Sequence, residues 1–374
     1  MVTASSSIAS RLQEEVAAQR LNFDDAQLQA AVRLDHLSAE LIEQSNSIGQ
    51  KLRAQLRWFP VQANGPAPRG LYLWGGVGRG KTMLMDLFYE SLGAPWAERT
   101  HFYRFMREVH AQLRAIKDRT RPLDGVAEQI AARLRVLCLD EFFVSDIGDA
   151  MILAGLFEGL FERGVTLVAT SNTAPRDLYQ DGLQRQRFLP AIELIESHVE
   201  VVHLDGGIDY RLRQLEQAPT YLDSALPDTA AKLKRRFEML AGGAGGIAAG
   251  PTILSIEDRP IAAVATGPGL VWFEFSDICE GPRSQNDYIE IARLYHTVFI
   301  SNIPTFDRVN ENSARRFIML IDEFYDRNVN IVVSAAAAPA ALYHGERLQA
   351  EFSRAASRLV EMQTQHYLAG QHRP

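Results

Sequence analysis

The chain has 374 residues, of which 47% are hydrophobic and 23% are charged, and its formal net charge is −7. This composition is typical of a soluble globular protein, and a length prior of about 150 residues per domain predicts two or three domains. The negative charge disfavours a general nucleic-acid binder, and no apolar stretch approaches the length of about 18 residues that a transmembrane helix requires.

The first residues, MVTASSSIASRLQEEVAAQR, predict neither of two common targeting signals. They lack a basic segment followed by an apolar one, which argues against secretion, and Glu14 and Glu15 argue against an acid-poor mitochondrial transit peptide. Cys138 and Cys279 are too far apart in the sequence to suggest a disulfide framework or a metal site. We therefore expect a cytoplasmic protein.

Residues 1–60 are expected to form an N-terminal helical segment, because leucines recur at helical spacing, and a Pro/Gly-rich stretch then ends it. Residues 61–240 follow as an alternating core. Its predicted strands are 71–74, 101–104, 135–139, 165–170 and 199–204, and its predicted helices are 81–92, 105–117, 146–163 and 186–197. Strands that are apolar throughout indicate burial on both faces, so we predict an α/β fold with a parallel sheet wrapped by helices.

The sequence AGGAGGIAAGP, residues 241–251, predicts a Gly/Ala-rich linker. Residues 252–374 are predicted to form a mixed α/β C-terminal domain. Its first part has short alternating strands with turn signals, which indicates an antiparallel meander. The remaining predicted elements are helices 285–296, 312–327 and 347–368 and strands 297–301 and 329–334.

One stretch of the core is similar in sequence to a stretch of the C-terminal domain. Residues 156–179 align without gaps with residues 320–343, and eight positions are identical. Two interpretations stay open: a degenerate second copy of the nucleotide-binding fold, or the similarity that any helix–strand pattern produces. A second copy would have lost its chemistry, because strand 298–304 carries Ser301 and Asn302 where the first copy has acids.

Between the first strand and the first helix of the core, GGVGRGKT fits the pattern G-x-x-x-x-G-K-[ST] of a phosphate-binding loop. Glycines let the backbone wrap round phosphate oxygens, and the following helix adds its positive N-terminal end. We expect Lys81 to reach the β- and γ-phosphates of ATP and Thr82 to bind Mg²⁺. The predicted nucleotide-binding residues are Gly75, Gly76, Val77, Gly78, Arg79, Gly80, Lys81 and Thr82.

Two adjacent acids, Asp140 and Glu141, follow the apolar strand 135–139. Neighbouring strand residues face opposite ways, so at a strand end one carboxylate can face a metal ion and the other the γ-phosphate. Asp140 is therefore the predicted Mg²⁺ ligand. Glu141 is the predicted catalytic base that orients and deprotonates the attacking water.

Asn172 follows strand 165–170 and is predicted to sense the γ-phosphate, with Ser171 as the alternative. An active site that is built between subunits needs an arginine supplied by a neighbour. Arg187 is our candidate for this arginine, with Arg185 as the second choice. The sequence thus predicts a homo-oligomer or an active site that a partner completes.

Two groups of basic residues have open roles. Residues 99–121 hold seven Arg or Lys and two acids, and we interpret them as a solvated helix face, with a docking surface for an acidic partner as the alternative. Near the end of the chain, Arg354 and Arg358 are spaced i, i+4 on a predicted helix. One of them is a further candidate for contact with phosphate.

The order of motifs, from phosphate loop through DE strand and SN strand to RF helix, is that of AAA-type ATPases with a P-loop NTPase fold. Eight blocks closely resemble the ZapE family of bacterial cell-division ATPases and their mitochondrial relatives, the lactation-elevated or AFG-type ATPases, and the resemblance runs from about residue 10 to residue 370. The blocks are GGVGRGKTMLMDLF, HFYRFMREVH, LCLDEFFVSDIGDAMIL, GVTLVATSN, LYQDGLQRQRFLPAIELI, LDGGIDYR, YHTVF and SRLVEMQ.

The resemblance implies an ATPase that acts on the tubulin-like protein FtsZ at the division ring, with ATP and Mg²⁺ as cofactors. By motif, Lys81 and Thr82 carry over as Walker A, Asp140 and Glu141 as Walker B, and Asn172 as the sensor. The implied partner is an FtsZ-type division protein, and the implied location is the division site. The linker is longer and looser than the family pattern implies.

Three other functions stay open. The mitochondrial relatives suggest a quality-control ATPase that supplies proteins to a protease. The basic segment fits a nucleic-acid motor or helicase loader, although the net charge and the lack of a recognisable nucleic-acid-binding module oppose it. A small-molecule kinase would need a basic acceptor pocket, for which the sequence gives no signal.

Overall fold

The structure, a computed structural model, describes residues 7–17, 24–46, 67–76, 78–116, 121–180, 182–204, 215, 219–243 and 250–373. The chain divides into two compact units, residues 1–207 and residues 208–374. Within the described ranges, no helix is both long enough and apolar enough to cross a membrane.

The first unit alternates strands and helices, as its sequence pattern predicts. The strands are β1 (Gly70–Trp74), β2 (Ala97–His101), β3 (Val136–Asp140), β4 (Thr166–Ser171) and β5 (Val199–His203). The α-helices are α1 (Ile8–Ala17), α2 (Asp25–Asn46), α3 (Lys81–Leu92), α4 (Phe102–Ala115), α5 (Pro122–Arg133), α6 (Ile147–Glu162) and α7 (Leu189–His198). Two 3₁₀ turns, Pro175–Asp177 and Arg185–Arg187, lie between β4 and α7.

The five strands form one parallel sheet in the order β2-β3-β4-β1-β5. Strands β3 and β4 are buried at every position, because helices cover both faces of the sheet. Helices α4 to α7 pack on one face around Phe142 and Phe157, and α1 to α3 pack on the other around Leu34 and Phe88. This arrangement confirms the predicted α/β fold.

Two assignments in this unit need correction. The predicted strand 101–104 is wrong, because β2 ends at His101 and α4 begins at Phe102. Phe102, Phe105 and Val109 are buried at helical spacing, so packing of this face overrides the strand preference of the aromatic run. The sequence pattern also gave no helix at α5, which covers residues 122–133.

The second unit contains a second sheet with its own helices. The strands are β6 (Tyr221–Asp223), β7 (Thr252–Ile256), β8 (Arg259–Ala263), β9 (Ala265–Gly267), β10 (Leu270–Glu274), β11 (Thr297–Ile303) and β12 (Asn330–Ala335). The α-helices are α8 (Thr229–Gly243), α9 (Gln285–Leu294), α10 (Glu311–Asp326), α11 (Gln349–Glu361) and α12 (Gln365–Leu368). A π-helical turn, Ser276–Glu280, follows β10, and a 3₁₀ turn, Pro339–Ala341, follows β12.

The sheet of the second unit has the order β6-β12-β11-β10-β9. Strands β6, β12, β11 and β10 are parallel, and β9 pairs antiparallel with β10. The predicted meander is therefore correct for the hairpin β7–β8 and for β9–β10, but it misses that β10 enters a parallel sheet with β11.

The sequence-based boundary at residue 240 falls inside α8, whereas the structure separates the units between 207 and 208. The reason is packing: β6 pairs with β12, and Leu233 and Phe237 of α8 are buried against Phe299 and Val332. Of the expected linker, 241–243 end α8 and 244–249 lie outside the described residues.

The second sheet repeats the order of four strands of the first, and the strands described in residues 219–243 and 250–373 include no counterpart of β5. The order β2-β3-β4-β1 in the first unit corresponds to β10-β11-β12-β6 in the second. The chain order agrees as well, since α3 follows β1 and α8 follows β6, while α6 joins β3 to β4 and α10 joins β11 to β12.

The correspondence extends to a single backbone turn. Glu141 after β3 has a φ of 52°, and Asn302 in β11 has a φ of 61°. The amide of Glu141 donates to Thr170 Oγ1 at 3.2 Å, and the amide of Asn302 donates to Ser334 Oγ at 2.9 Å. A general helix–strand pattern does not account for a shared left-handed residue at one position, so the structure supports a degenerate second copy.

Candidate active site

The phosphate loop connects β1 to α3, and three of its glycines, Gly75, Gly78 and Gly80, have positive φ. Gly75 and Gly80 have φ values of 151° and 76°. A Cβ at Gly75 would lie 2.6 Å from the carbonyl oxygen of Leu204, and a Cβ at Gly80 would lie 2.9 Å from Nε2 of Gln27. Gln27 of α2 also donates to the carbonyl of Arg79 at 3.1 Å, so an N-terminal helix braces the loop.

Lys81 and Thr82 are the first two residues of α3, and both are half-buried. Lys81 Nζ donates to the carbonyl oxygens of Gly75 and Gly76, each at 2.7 Å. The ammonium group is therefore held against the loop that the sequence assigns to phosphate. Val77 of the same motif lies outside the described residues.

Asp140 is the last residue of β3 and is 6% exposed. Its Oδ2 accepts a hydrogen bond from Arg99 Nε at 2.6 Å, and its Oδ1 accepts one from Thr170 Oγ1 at 3.3 Å. The same Thr170 oxygen accepts the Glu141 amide, so one hydroxyl of β4 contacts both acidic residues. The structure thus places Asp140 at the carboxyl end of β3 with Glu141 directly after it, one strand away from the strand that precedes the phosphate loop.

Arg99 and Thr170 belong to this site, and sequence reasoning missed both. Arg99 lies on β2, and its guanidinium bridges Asp140 to Asp86 of α3. The sequence shows a threonine at the end of the β4 pattern and an arginine within AERTH. Their contacts with the acids depend on which strands are neighbours in the sheet, and the local sequence pattern does not predict that.

Burial and the paired charges set the ionisation of this cluster. Burial alone lowers the pKa of Arg99, but the carboxylates of Asp140 and Asp86 raise it more, so the net shift is upward and the guanidinium stays charged. The pKa of Asp86 is raised, first by burial and further by the carboxylates of Asp140 and Glu90, although Arg99 acts to lower it. Burial also lowers the pKa of His101, the residue of β2 that pairs with Asp140 in the sheet register.

Strand β4 lies between β1 and β3, so its carboxyl end separates the phosphate loop from the acids. The amide of Gly75 donates to the carbonyl of Ser171 at 3.2 Å, and the Ser171 hydroxyl donates to the carbonyl of Phe142 at 2.7 Å. The hydroxyl of Ser171 is thus used within the fold. Asn172 follows at the strand end, half-buried, and is the better placed of the two sensor candidates.

The two candidate arginines differ in their surroundings. Arg185 is half-buried, and its guanidinium donates to the carbonyl of Arg176. Arg187 is exposed on the same 3₁₀ turn. The next residue, Phe188, is fully buried and packs edge-to-face on Tyr179 with the ring centroids 5.8 Å apart, which anchors the turn. Arg187 is therefore the candidate that the fold leaves at the surface.

The C-terminal arginines have contacts within the second unit. Arg358 forms an ion pair with Asp322 of α10, and its guanidinium lies 4.9 Å from the ring centroid of Tyr325. Arg354 lies 3.7 Å from the same aspartate. Packing of α11 against α10 therefore accounts for the i, i+4 spacing of this pair.

The basic segment 99–121 divides in the structure. Arg99 is part of the buried cluster with Asp140, whereas Arg104 and Arg114 are exposed on α4. Residues 117–120 lie outside the described ranges. The segment is thus less basic at the surface than its composition suggests.

Two side chains, one at the end of β3 and one in the first turn of α3, are of the kind that fits Mg²⁺. A carboxylate from Asp140 and a hydroxyl from Thr82 are oxygen ligands of the kind that this ion takes together with phosphate oxygens and water. Among the residues that the structure describes, no group of three or more His, Cys, Asp or Glu side chains could hold a metal ion.

A parallel sheet of this order, with a phosphate loop after β1 and paired acids after β3, defines the chain as a P-loop NTPase. Residues 6–371 match the family described as AFG1-like ATPase. The chain therefore belongs to the AFG1-like ATPase family, and its activity is ATP hydrolysis.

The relatives cover most of the chain. Cell division protein ZapE of Escherichia coli (strain K12) is 47% identical over 354 residues, which are 93% of this chain and 94% of the relative. Lactation elevated protein 1 homolog B of Danio rerio is 40% identical over 282 residues, which are 72% of this chain and 56% of the relative. Among solved structures, AMPPCP-bound DnaA from Aquifex aeolicus is 14% identical and covers 47% of this chain and 51% of its own, with a TM-score of 0.30.

Proposed function

We propose that the chain hydrolyses Mg²⁺–ATP at the edge formed by β1, β3 and β4, and that the nucleotide cycle changes its grip on a division polymer of the FtsZ type. The observation that carries the proposal is similarity over nearly the whole length of both chains to the E. coli relative named Cell division protein ZapE. A nucleotide cycle acts on a partner only if the ATP and ADP states differ in their affinity for it.

The phosphate loop binds the β- and γ-phosphates. Lys81 now donates to two carbonyls of the loop, and it exchanges them for phosphate oxygens when ATP binds. Thr82 and Asp140 hold Mg²⁺, which supplies positive charge to the β- and γ-phosphates when bound. The N-terminus of α3 adds its dipole to the same anion.

Glu141 orients and deprotonates the attacking water. Its left-handed backbone, held by the Thr170 hydroxyl, turns the chain sharply after the buried strand. Asn172 leaves the neighbouring strand between this acid and the phosphate loop, where an amide can bind the γ-phosphate or the water. The two residues thus reach the reacting atoms from adjacent strand ends.

A neighbouring subunit completes the site with Arg187. The residue is exposed, while Phe188 fixes its turn in the core, so the guanidinium is presented on a rigid support. Transition-state charge on the phosphoryl group is then neutralised from outside the chain. We expect Arg187→Ala to lower turnover strongly and Arg185→Ala to lower it less, and we expect specific activity to rise with protein concentration. Equal activity of both variants and of wild type would remove the arginine from the mechanism.

The partner is tested with Glu141→Gln, which keeps the size of the side chain and removes the base. We expect this variant to bind ATP, to turn over about 10²–10⁴-fold more slowly and to stay bound to the polymer. Glu158→Gln on the exposed side of α6 is the matched control, and it should behave as wild type.

The measurement is co-sedimentation of each variant with polymers of purified FtsZ-type protein, with ATP, with ADP and without nucleotide. Retention of Glu141→Gln in ATP alone supports the proposal and the location at the division site. If the variant instead retains a protease or respiratory-chain subunits from a lysate and ignores the polymer, the cycle serves protein turnover. Unaltered ATP turnover in Glu141→Gln would remove Glu141 from the catalytic role.

A further inference from the structure

Arg99 lies between the nucleotide-binding helix and the acidic strand. It is on β2, where its Cα pairs with that of Cys138 of β3, and its side chain is 18% exposed. The guanidinium donates through Nε to Asp140 Oδ2 at 2.6 Å and through Nη1 to Asp86 of α3. One arginine thus joins the helix that follows the phosphate loop to the acid that follows β3.

The carboxylate of Asp140 is held at both oxygens. Arg99 contacts Oδ2, and the Thr170 hydroxyl contacts Oδ1 at 3.3 Å. Two contacts from opposite neighbours, β2 on one side and β4 on the other, fix the rotation of a carboxylate that is nearly buried. The acid is therefore oriented by two protein groups.

The second unit shows what the fold requires at this place. Trp272 of β10 corresponds to Arg99, and Ser301 of β11 corresponds to Asp140, because the parallel registers β10–β11 and β2–β3 match residue by residue. Trp272 Nε1 donates to Ser301 Oγ at 3.0 Å, so a neutral hydrogen bond replaces the ion pair. The fold therefore does not require an arginine at the position of Arg99. The second unit, which has Ser301 in place of Asp140, also has Trp272 in place of the arginine.

We propose that Arg99 is a positioning residue that sets the Asp140 carboxylate for Mg²⁺ and thereby couples the metal site to α3 through Asp86. The inference rests on the metal-binding role proposed above for Asp140. A lysine ammonium carries the same charge, but the guanidinium of Arg99 contacts Asp140 and Asp86 through two nitrogens of one rigid planar group, a geometry that lysine does not reproduce. Substitution of Arg99 by lysine keeps the positive charge and changes the contact geometry, whereas substitution by methionine removes both.

The test compares Arg99→Met with Arg99→Lys in the full chain. Arg99→Met should raise the Mg²⁺ concentration for half-maximal ATP turnover by about tenfold and lower kcat, with Arg99→Lys between it and wild type. Binding of a fluorescent ADP analogue in EDTA should be unchanged, because the phosphate loop does not depend on the metal. A purely structural arginine would instead lower the melting temperature and this metal-free binding, without changing the Mg²⁺ dependence.

Arg133→Met is the matched control, since Arg133 also joins two carboxylates, Glu98 at 2.8 Å and Glu108 at 3.0 Å, but at the surface. It should leave the Mg²⁺ dependence as in wild type. If Arg99→Met does not fold, the double variant Asp86→Asn/Arg99→Met removes the acid that lost its counter-ion and gives the same readout.

Asp140→Asn distinguishes the positioning role of Arg99 from the metal-binding role of Asp140. If Asp140→Asn changes the Mg²⁺ dependence and the Arg99 variants do not, the positioning role is refuted and the proposed metal site stands. If Asp140→Asn also leaves the Mg²⁺ dependence unchanged, the metal-binding role of Asp140 fails, and the inference fails with it.

Discussion

The hydroxyl of Thr170 makes two hydrogen bonds at the candidate active site, and a single isosteric substitution can remove both. Thr170 is 2% exposed, and its Oγ1 accepts the Glu141 amide at 3.2 Å and donates to Asp140 Oδ1 at 3.3 Å. Thr170→Val keeps the shape and the strand preference of the side chain but removes both hydrogen bonds. We predict a loss of stability together with a loss of catalysis.

The magnitude follows from the two contacts. Removing the partner of a buried polar group costs about 1–3 kcal/mol, and both distances are at the long end for hydrogen bonds to oxygen, so we take about 2 kcal/mol for the pair. In addition, the amide contact offsets part of the cost of about 1–2 kcal/mol that a non-glycine residue such as Glu141 incurs at positive φ. For a unit of this size, about 2 kcal/mol lowers the melting temperature by about 4–8 °C.

The assay is thermal unfolding by calorimetry beside ATP turnover at saturating nucleotide. Thr170→Ser retains the hydroxyl and should recover most of the turnover. Ser334→Ala removes the equivalent hydroxyl from the second unit, where it accepts the Asn302 amide at 2.9 Å. This variant should lose less stability than Thr170→Val, because it removes one of the equivalent contacts, and it should leave kcat unchanged, because the equivalent strand end has Ser301 and Asn302 in place of the acids.

The reasoning would be refuted by a Thr170→Val protein with wild-type turnover and an unchanged melting temperature. A variant that lost stability but kept full kcat would show that the hydroxyl serves the backbone turn alone. In that case Arg99 would be sufficient to hold Asp140, and the two-sided support of the carboxylate would be wrong.

Three further perturbations test the phosphate loop and its surroundings. Gly75→Ala should abolish nucleotide binding in equilibrium dialysis, because the new Cβ would lie 2.6 Å from the backbone oxygen of Leu204, which cannot move aside as a side chain can. In the second unit, residues 223–229 stand at the position of the phosphate loop, and they contain neither glycine nor lysine. We therefore expect wild type to bind one nucleotide per chain in calorimetric titration. Lys81→Met should abolish that binding. Phe188→Ala should destabilise the first unit by about 3–5 kcal/mol in denaturant unfolding, because a fully buried ring is removed.

The phosphate loop and the two acids could be predicted because each is encoded in contiguous residues. A strand, a glycine-rich turn and a helix start are local events, and the structure places Lys81 at the first position of α3 and Asp140 at the last position of β3. The parallel sheet was likewise predictable, because strands that are apolar at every position must be covered on both faces.

Arg99 and Thr170 could not be predicted in the same way, because their roles depend on contacts between strands that are not consecutive. Two helices and a loop separate β2 from β3 along the chain, and only the sheet register brings Arg99 beside Asp140. Within AERTH the arginine has the pattern of an exposed edge residue. Composition therefore assigned it to a basic surface segment, whereas the fold leaves it partly buried and paired with two carboxylates.

The boundary between the units was misplaced for a related reason. The stretch 241–251 attracts attention because it is rich in glycine and alanine, but the helix before it, α8, carries no local mark of the sheet on which it packs. Its assignment follows from β6, a strand of three residues that pairs with β12, which is more than a hundred positions away. A strand of three residues is too short to show a hydrophobic periodicity, so its pairing could not be predicted from the sequence.

The two copies of the fold separate what the backbone needs from what the chemistry needs. A hydroxyl in β4 or β12 and a left-handed residue at the end of the facing strand occur in both, so they belong to the fold. The ion pair of Arg99 with Asp140 occurs in one, and an indole–hydroxyl contact replaces it in the other. A nearly buried carboxylate without its cation would cost several kcal/mol, so the acid and the arginine can be lost only together. The second unit therefore keeps a contact between the two equivalent strands without the ion pair, through Trp272 and Ser301.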